Sequence, residues 1–570
     1  MKKKAKKHIA ILGGGPSGLF IYKRLVEANL HNFEVTIFER KNQLGVGMPY
    51  SKEGASDEHI TNVSDNEVPD FVNSIEEWSK TAPKALLDKY KINPENFNEY
   101  KVLPRLFFGA YLQAQFELLT TKAEEKGIKT DIRLNCKVED LIYKKALNKV
   151  WVKIENQSVF KFDEVIIATG HNWPHLHEDK VSGYFDSPYP PAKIALKLNH
   201  PVAIKGSSLT AIDAIRTLSR KNGTFQKDNS GKLFYKLNRD STEFKMVMHS
   251  RNGMLPAVRF HLEDSHLKND SLLTIEDFAK HRAENNGFIS LDFVFEKDFK
   301  EIFKEKDPSF YKQIKDLDVE GFVDAMMGLR EKLEPFQLLK AEYAQAQKSI
   351  KYKESVYWKE MLAILSFSMN YPAKYFSAED MMRLQKKLMP LISIVIAFVP
   401  QSSCEELIAL NEAGVLEIVS VGNDSEIEIA DEIGIIYHYT NEDNEEIAIP
   451  FKTFIDCVGQ PHLNYDKFPF KSLISNHEIT PARLKFKDKK LAEQEISNQN
   501  ENVEQDNDGE FYLRVPGITI NDDFQIVNRE GKVNPHIFIM AVPYIGGFNP
   551  DYSGIDFCEE ASKRIIAKMI

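Results

Sequence analysis

The feature that most constrains this chain is a glycine-rich turn, Gly13-x-Gly15-x-x-Gly18, that follows a short apolar run at residues 8–12. Glycines at this spacing permit a tight strand-to-helix turn, let the backbone approach a pyrophosphate, and allow close packing of helix on strand. The first turn of such a helix offers free N–H groups and a positive dipole end to phosphate. The sequence therefore predicts a βαβ dinucleotide-binding fold at its start.

An acidic residue stands where this fold needs one. Glu39 follows the next apolar strand, residues 34–38, and lies 21 positions after Gly18. A carboxylate there accepts hydrogen bonds from ribose hydroxyls. A glycine-rich surface loop would not combine a preceding strand, a following helix and an acid at this distance. A site for FAD is predicted, with an NAD site as the rival interpretation.

A second, degenerate turn, Gly206-x-Ser208-x-x-Ala211, again lies between an apolar strand and a helix with an apolar face. Alone, this pattern is equally typical of an ordinary tight turn. Two nucleotide folds in one chain favour two dinucleotides, one retained and one exchanging. No acid follows the next strand; Arg251 stands there instead, and a cation suits the 2′-phosphate of NADPH. A solvated surface arginine is the equal alternative.

Composition divides the rest of the chain. Residues 264–388 are dense in charge, sparse in glycine and helical in their periodicity, which indicates a helical insertion. We predict an α/β protein with two Rossmann-like dinucleotide-binding folds and a large helical insertion. The predicted parts are an FAD-binding domain from both chain ends (1–200 and 454–570, with a polar linker at 494–509), an NAD(P)-binding-like domain (201–263 and 399–453) and the insertion (264–398).

The charge and the cysteine content indicate which kinds of partner and compartment to expect. The net charge of −10, from 74 basic and 84 acidic residues, argues against a nucleic-acid partner. The most apolar stretch, residues 389–400, is shorter than the ~18 residues of a membrane span, so it is predicted to be buried core. The four cysteines form no CxxC pair, which argues against a metal site of usual spacing and fits a reducing compartment. We therefore expect a cytoplasmic protein with no metal and no membrane partner.

The C-terminal turn at residues 546–554 precedes the final predicted helix. The N-terminus of that helix, directed at a flavin ring, would stabilise negative charge on the reduced ring, although a plain helix cap is the alternative. The strand at 165–170 ends in a Thr-Gly pair that would bring backbone near the cofactor. The candidate cofactor-binding residues chosen directly from these patterns are Gly13, Gly15, Pro16, Ser17, Gly18, Glu39, Arg40, Val138, Thr169, Gly170, Gly206, Ser208, Arg251, Asn549, Gly554 and Ile555.

Taken together, the motifs resemble a bacterial family of FAD/NAD(P)-binding proteins among the flavoproteins with two dinucleotide-binding domains. The resemblance rests on GGGPSG (13–18), LGVGMPYS (44–51), HITNVSD (59–65), LPRLFFGAYL (103–112), ATGH (168–171), KGSSLTAIDA (205–214), HSRNGMLP (249–256) and EELIALNEAGVLEIVSVG (405–422). It implies FAD on the first fold and NADPH or NADH on the second. It also implies that Tyr50, Asn62 and Arg105 lie near the flavin.

More distantly, the chain is similar to N-hydroxylating and Baeyer–Villiger monooxygenases. The FxGxxxHxxxW-type signature of the latter is incomplete here, because residues 183–201 keep Phe185 but lack the glycine and the spaced His and Trp. The resemblance implies an FAD-dependent NAD(P)H oxidoreductase, a monooxygenase or a reductase, acting on a small molecule that the sequence does not identify. An electron-transfer flavoprotein with a protein partner and a non-enzymatic flavin sensor stay open as alternatives.

No catalytic acid or base is predicted, and hydride transfer to a flavin needs none. His171 follows the Thr-Gly pair and is expected to be a hydrogen-bonded structural histidine. The helical insertion is expected to form either a lid over the substrate or the interface of a homodimer.

Overall fold

The computed structural model describes residues 6–28, 32–69, 71–263, 272–430, 433–551 and 554–570. The strands are β1 (Lys7–Leu12), β2 (Phe33–Phe38), β3 (Ile60–Ser64), β4 (Val102–Pro104), β5 (Lys129–Arg133), β6 (Val138–Lys144), β7 (Lys149–Ile154), β8 (Val159–Phe162), β9 (Glu164–Ile167), β10 (Tyr184–Phe185), β11 (Pro201–Lys205), β12 (Gly223–Lys227), β13 (Leu233–Leu237), β14 (Lys245–Ser250), β15 (Leu416–Ser420), β16 (Glu426–Ile429), β17 (Ile435–Thr440), β18 (Glu446–Phe451), β19 (Thr453–Asp456), β20 (Pro481–Lys485), β21 (Val503–Gln505), β22 (Phe511–Ile518), β23 (Gln525–Val527) and β24 (Val533–Ile539).

The helices are α1 (Pro16–Glu27), α2 (Ile75–Ser79), α3 (Lys84–Tyr90), α4 (Arg105–Glu125), α5 (Leu209–Asn222), α6 (Ile275–Glu284), α7 (Leu291–Phe295), α8 (Phe303–Lys306), α9 (Pro308–Ile314), α10 (Val319–Glu331), α11 (Pro335–Tyr352), α12 (Tyr357–Ser368), α13 (Ala378–Arg383), α14 (Met389–Val395), α15 (Gln401–Glu412), α16 (Lys471–Ser475), α17 (Lys489–Ser497) and α18 (Gly554–Met569).

The first sheet is built from both ends of the chain. Its strand order is β23-β24-β9-β1-β2-β5, and all neighbours are parallel except β23 and β24. The last four residues of β1 and all of β9 are buried, as expected for parallel strands covered on both faces. Helix α18 packs against α1, so the C-terminus completes the fold that the N-terminus begins.

The second sheet is entirely parallel, with the order β10-β19-β11-β14-β15. Helices α5 and α15 belong to the apolar core on one face. On the other face, Tyr437 and Phe451 of the antiparallel β16-β17-β18 sheet pack against Ala203 and Val247. The molecule therefore has two α/β units, as predicted.

The predicted helical insertion is present within its described part, as helices α6 to α14; its residues 264–271 lie outside the described residues. Its core contains phenylalanine rings in mutual contact, among them Phe295, Phe299 and Phe322. The apolar stretch at 389–400 begins with α14, whose buried side chains confirm it as core. Among the described residues, no helix is both long and apolar enough to span a membrane.

Two predicted boundaries and the linker are wrong. Strands β10 and β19 pair with each other in the second sheet, so the boundaries at 200 and 454 assign both strands to the wrong unit. A buried apolar strand carries no mark of the sheet it joins. The stretch 494–509 is not a linker, because α17 extends to Ser497 and β21 pairs with β22. A partner strand can order a polar segment through backbone hydrogen bonds.

Candidate functional site

The turn after β1 accepts only glycine at two positions. Gly13 has φ of 110°, and a Cβ atom there would lie 2.5 Å from the carbonyl oxygen of Ala168. A Cβ atom on Gly18 would overlap the carbonyl oxygen of Gly13. The Gly13 N–H donates to the Phe38 carbonyl at 2.8 Å, which fixes the turn beside the end of β2. Helix α1 then begins at Pro16.

Glu39 is buried at the edge of the first sheet. Its Oε2 accepts from the Gly14 N–H at 2.7 Å, and its Oε1 accepts from the Lys41 N–H at 2.9 Å. Each carboxylate oxygen keeps a further lone pair. The side chain is therefore held in one orientation and can still accept hydrogen bonds from a ligand.

A cavity of about 890 Å³ opens along this edge, within the roughly 300–1,000 Å³ typical of ligand sites. It extends from Glu39 beside β2 to the residues that follow β9. The predicted residues that line it are Gly13, Gly15, Pro16, Ser17, Glu39, Arg40, Tyr50, Val138, Thr169, Gly170, Gly554 and Ile555. The glycine cradle, the free helix terminus and the oriented carboxylate fit the pyrophosphate and ribose of a dinucleotide.

Some predicted residues do not line this cavity. Gly18 lies behind the turn, against Gly13. Asn62 is exposed, and its carbonyl accepts from Arg259. Asn549 is buried and donates to the Asp551 carbonyl at 3.2 Å. Of the predicted C-terminal turn, residues 552 and 553 lie outside the described residues.

Arg105, which the resemblance places near the flavin, does not line this cavity. Its guanidinium donates to Asp213 Oδ2 at 2.6 Å and to the Ile60 carbonyl at 3.1 Å. Tyr189 donates to the same Asp213 oxygen at 2.6 Å. Because Asp213 lies on α5, this cluster joins the two nucleotide folds. The anion that Arg105 contacts is thus supplied by the protein itself.

Opposing effects act on the pKa of Asp213. Burial by itself would raise the pKa, but the charge of Arg105, with His59 and the Tyr189 hydrogen bond, holds the pKa below its ordinary value. The carboxylate therefore stays ionised at neutral pH. An ionised acid paired in this way is costly to leave without its partner.

The turn after β11 has the same backbone as the first. Gly206 has φ of 108°, and a Cβ atom there would lie 2.8 Å from the Cys457 carbonyl oxygen. The Gly206 N–H donates to the His249 carbonyl at 2.7 Å. Ser208, which immediately precedes α5, is exposed, as is Arg251 just beyond β14. The second predicted nucleotide turn is therefore present and open at the edge of the second sheet.

The two sheet edges meet through Gln460. His171 Nδ1 lies 2.9 Å from Gln460 Oε1, and the same oxygen accepts from the Asn172 N–H at 2.8 Å. Gln460 Nε2 donates to the Asn172 carbonyl at 3.0 Å. His171 is hydrogen-bonded, as expected, and it also lines the cavity. The carboxyl ends of β9 and β19 are thereby brought together.

Sequence reasoning missed several residues of the cavity. Met48, Asn172, Tyr544 and Cys558 line it, although they stand far apart in the chain. Burial raises the pKa of Cys558 to about 12, so this thiol is protonated, as expected for a structural cysteine. Only the segment 44–51, through its resemblance motif, gave a signal for any of them.

No described residue of the helical insertion lines this cavity. The insertion instead contacts the loop before α18, because Asn370 accepts from the Asp551 N–H at 3.0 Å. Tyr375 also donates to Asp522 Oδ1 at 2.8 Å. Within the described residues, this arrangement favours a supporting role for the insertion over a lid on this cavity.

Family comparisons agree with this geometry. Residues 10–172 match the model of the FAD-NAD(P)-binding family, and residues 274–396 match the YdhS-like middle domain. The chain is 28% identical over 475 residues to the uncharacterized protein YdhS of Escherichia coli strain K12, covering 82% of this chain and 86% of that protein. These matches confirm the resemblance to FAD/NAD(P)-binding proteins and the cofactor class drawn from the motifs.

Solved structures show weaker similarity. The cadaverine monooxygenase DfoA of Erwinia amylovora, bound to FAD, is 11% identical with a TM-score of 0.45, over 100% of this chain and 95% of that one. Cyclohexanone monooxygenase from Rhodococcus sp. Phi1, bound to NADP⁺, is 11% identical with a TM-score of 0.42, over 99% and 84%. The bacillithiol disulfide reductase of Staphylococcus aureus is 10% identical with a TM-score of 0.42, over 99% and 98%. Similarity at this level assigns no reaction.

Proposed function

We propose that this protein is an FAD-dependent oxidoreductase that takes its reducing equivalents from NAD(P)H. The observation that carries the proposal is the meeting of two Rossmann edges at Gln460, each with its own glycine turn. Dinucleotides bind at the carboxyl ends of the strands in such folds. Two edges in contact therefore bring two dinucleotides within reach of each other.

The first fold supplies the FAD site in this proposal. The turn from Gly13 to Ser17 and the start of α1 would hold the pyrophosphate, and Glu39 would accept the ribose hydroxyls. Bound FAD supplies two-electron redox chemistry, while the protein positions the ring and excludes water. The cavity volume and the fixed carboxylate support this assignment.

The second fold supplies the nicotinamide dinucleotide site. Gly206 and Ser208 would hold its pyrophosphate at the start of α5. Arg251 follows the strand where an acid would favour NADH, and its exposed guanidinium suits a 2′-phosphate. We therefore propose NADPH as the preferred donor and a small molecule as the final acceptor.

Anaerobic mixing of the FAD-loaded protein with NADPH or NADH tests the function. Loss of the oxidised flavin absorbance on mixing, faster with NADPH, is the expected result. The Ser208→Asp variant is the matched control, because it should retain FAD and lose the reaction. Retained FAD that neither nucleotide reduces would overturn the proposal and favour a sensor.

A further inference from the structure

The orientation of the Gln460 amide is fixed by its neighbours. Nitrogen and oxygen of a glutamine amide are ordinarily assigned from their hydrogen bonds. Here Asn172 contributes a backbone N–H, which only donates, and a carbonyl, which only accepts. Gln460 must therefore present Oε1 to the N–H and Nε2 to the carbonyl.

The amide orientation in turn fixes the tautomer of His171. Because Gln460 Oε1 is an acceptor, the ring nitrogen 2.9 Å away, Nδ1, must carry the proton. Burial lowers the pKa of His171, and the hydrogen bond to Gln460 only partly offsets that effect, so the ring is neutral at neutral pH. A neutral imidazole protonated on Nδ1 has a lone pair on Nε2.

The strand order shows which end of the cavity His171 faces. β1 has β2 on one side and β9 on the other. Glu39 follows β2 and suits the ribose of the adenosine half, whereas His171 follows β9. If the pyrophosphate of FAD lies on the turn after β1, its adenosine half would lie beside Glu39 and its flavin half beside His171. Both residues line the same cavity.

His171 and Gln460 occupy equivalent positions in the two folds. The carbonyl of Ala168 faces the first turn glycine, and the carbonyl of Cys457 faces the second. His171 lies three residues after Ala168, and Gln460 lies three residues after Cys457. The residue that sets the tautomer of His171 therefore belongs to the other nucleotide fold.

We propose that His171 accepts a hydrogen bond through Nε2 from the flavin half of FAD. Gln460 is the positioning residue that keeps the proton on Nδ1 and leaves Nε2 unprotonated. This inference rests on the FAD site of the proposed function. It gives the contact between the folds a chemical role, because separating the folds would release the His171 tautomer.

Nitrogen NMR of ¹⁵N-histidine-labelled protein tests this contact without an activity measurement. The His171→Asn variant identifies the His171 signals by their loss. We expect a protonated Nδ1 and an unprotonated Nε2 in the FAD-free protein. FAD should shift the Nε2 signal, whereas ADP, which fills only the adenosine end, should not. An unprotonated Nδ1, or an Nε2 signal that FAD leaves unchanged, would overturn the proposal.

Two substitutions separate positioning from folding. Gln460→Ala should give a mixture of His171 tautomers and about fivefold weaker FAD binding, as for one lost hydrogen bond, with ADP binding unchanged. Val458→Ala, an exposed change in the same loop, should alter neither. Equal losses of FAD and ADP affinity in Gln460→Ala would show a merely structural role.

These results are distinguishable from failure of the proposed function. Reduction of bound FAD by NADPH with an unresponsive His171 signal would reject the His171 contact alone. A responsive His171 signal without reduction by either nucleotide would reject the oxidoreductase and keep the contact.

Discussion

The turn after β1 and the turn after β11 share a backbone but differ at the next strand end. Their first glycines have φ of 110° and 108°. Each donates its N–H to the neighbouring parallel strand, at Phe38 of β2 and His249 of β14. When the two folds are aligned on this glycine hydrogen bond, Glu39 and Ser250 occupy equivalent positions, one residue beyond the acceptor. The buried carboxylate of the first fold thus corresponds to a small hydroxyl in the second. In the proposed function, the shared backbone holds the pyrophosphate in both folds, and the side chain at the strand end decides which ribose each fold accepts.

The same comparison extends to the third position of each turn. Gly18 cannot carry a Cβ atom against the Gly13 carbonyl, whereas its equivalent, Ala211, is fully buried with one. The second turn therefore accommodates a methyl group at the position where the first does not. A first turn that lines a cavity of about 890 Å³ suits a retained cofactor, and a second turn with an exposed serine suits a cofactor that exchanges.

The largest effect is expected from a carboxylate placed in the first turn. Gly15→Asp brings negative charge against the pyrophosphate, a repulsion of ~4 kcal/mol at 4 Å and an effective dielectric constant of 20. FAD affinity should fall about 1,000-fold, measured by flavin absorbance after gel filtration and by equilibrium titration. Ser208→Asp makes the equivalent change in the second turn and should leave FAD retention intact. Normal FAD content in folded Gly15→Asp protein would remove this site assignment.

The next largest effect is expected at the Arg105–Asp213 ion pair, which we call the joint between the two folds. Asp213→Ala leaves the partly buried Arg105 without its carboxylate and should cost about 3 kcal/mol of unfolding free energy. The loss is limited by the Arg105 hydrogen bond to the Ile60 carbonyl. Denaturant unfolding measures this loss. Asp424→Ala, at an exposed position between β15 and β16, is the control and should stay within about 0.5 kcal/mol. Equal stability of both variants would contradict the joint.

The pH dependence of this joint follows from the lowered pKa of Asp213. A carboxyl whose folded pKa is depressed contributes stability above its unfolded pKa of about 3.9 and loses it as pH falls through the folded value. Wild type and Asp213→Ala should therefore converge in stability below about pH 4. A difference that grows toward acid would contradict this sign.

A smaller effect is expected when the strand end of the second fold is given the carboxylate of the first. Ser250→Glu places a carboxylate at the position of Glu39, where it would repel a 2′-phosphate by ~2 kcal/mol at about 8 Å. NADPH affinity should fall about 30-fold relative to NADH, measured by titration of the FAD-loaded protein with each nucleotide. Ser250→Gln, uncharged and of equal size, is the control. Unchanged preference in Ser250→Glu would place the 2′-phosphate elsewhere.

The smallest effect is expected at Arg251. Because this side chain is exposed, its loss should cost only ~1 kcal/mol, as for an ion pair at a surface. Arg251→Ala should weaken NADPH about fivefold more than NADH in the same titration. Arg40→Ala, at the equivalent position of the first fold, should not change that preference. Equal weakening of both nucleotides by Arg251→Ala would exclude a role for it at the 2′-phosphate.

Local patterns made the first fold predictable from the sequence. The glycine spacing, the buried strand before it and Glu39 after it are all encoded within residues 8–39. The helical insertion was equally clear, because helical periodicity is a local property. The two turns were therefore found where the structure has them.

Long-range pairing was not predictable in the same way. From the sequence alone, Arg105 was interpreted as a ligand-binding cation. Its carboxylate partner, Asp213 on α5, lies 108 positions further along the chain. The strand β19 is a short, mostly buried strand like β9, and only its pairing with β10 and β11 shows which sheet it joins. The Gln460 contact with His171 spans 289 positions and depends on the arrangement of both folds. Such contacts arise from tertiary packing, which no local pattern records.

The position of β24 has a consequence for synthesis of the chain. β24 lies beside β9, so the first sheet stays incomplete until residues 533–539 leave the ribosome. At ~5–20 residues per second, the outer edge of β9 would wait many seconds for its partner. An unpaired strand edge attracts other chains. Truncation of the chain before β24 should therefore leave the outer edge of β9 unpaired and cause aggregation rather than release of a shorter folded protein.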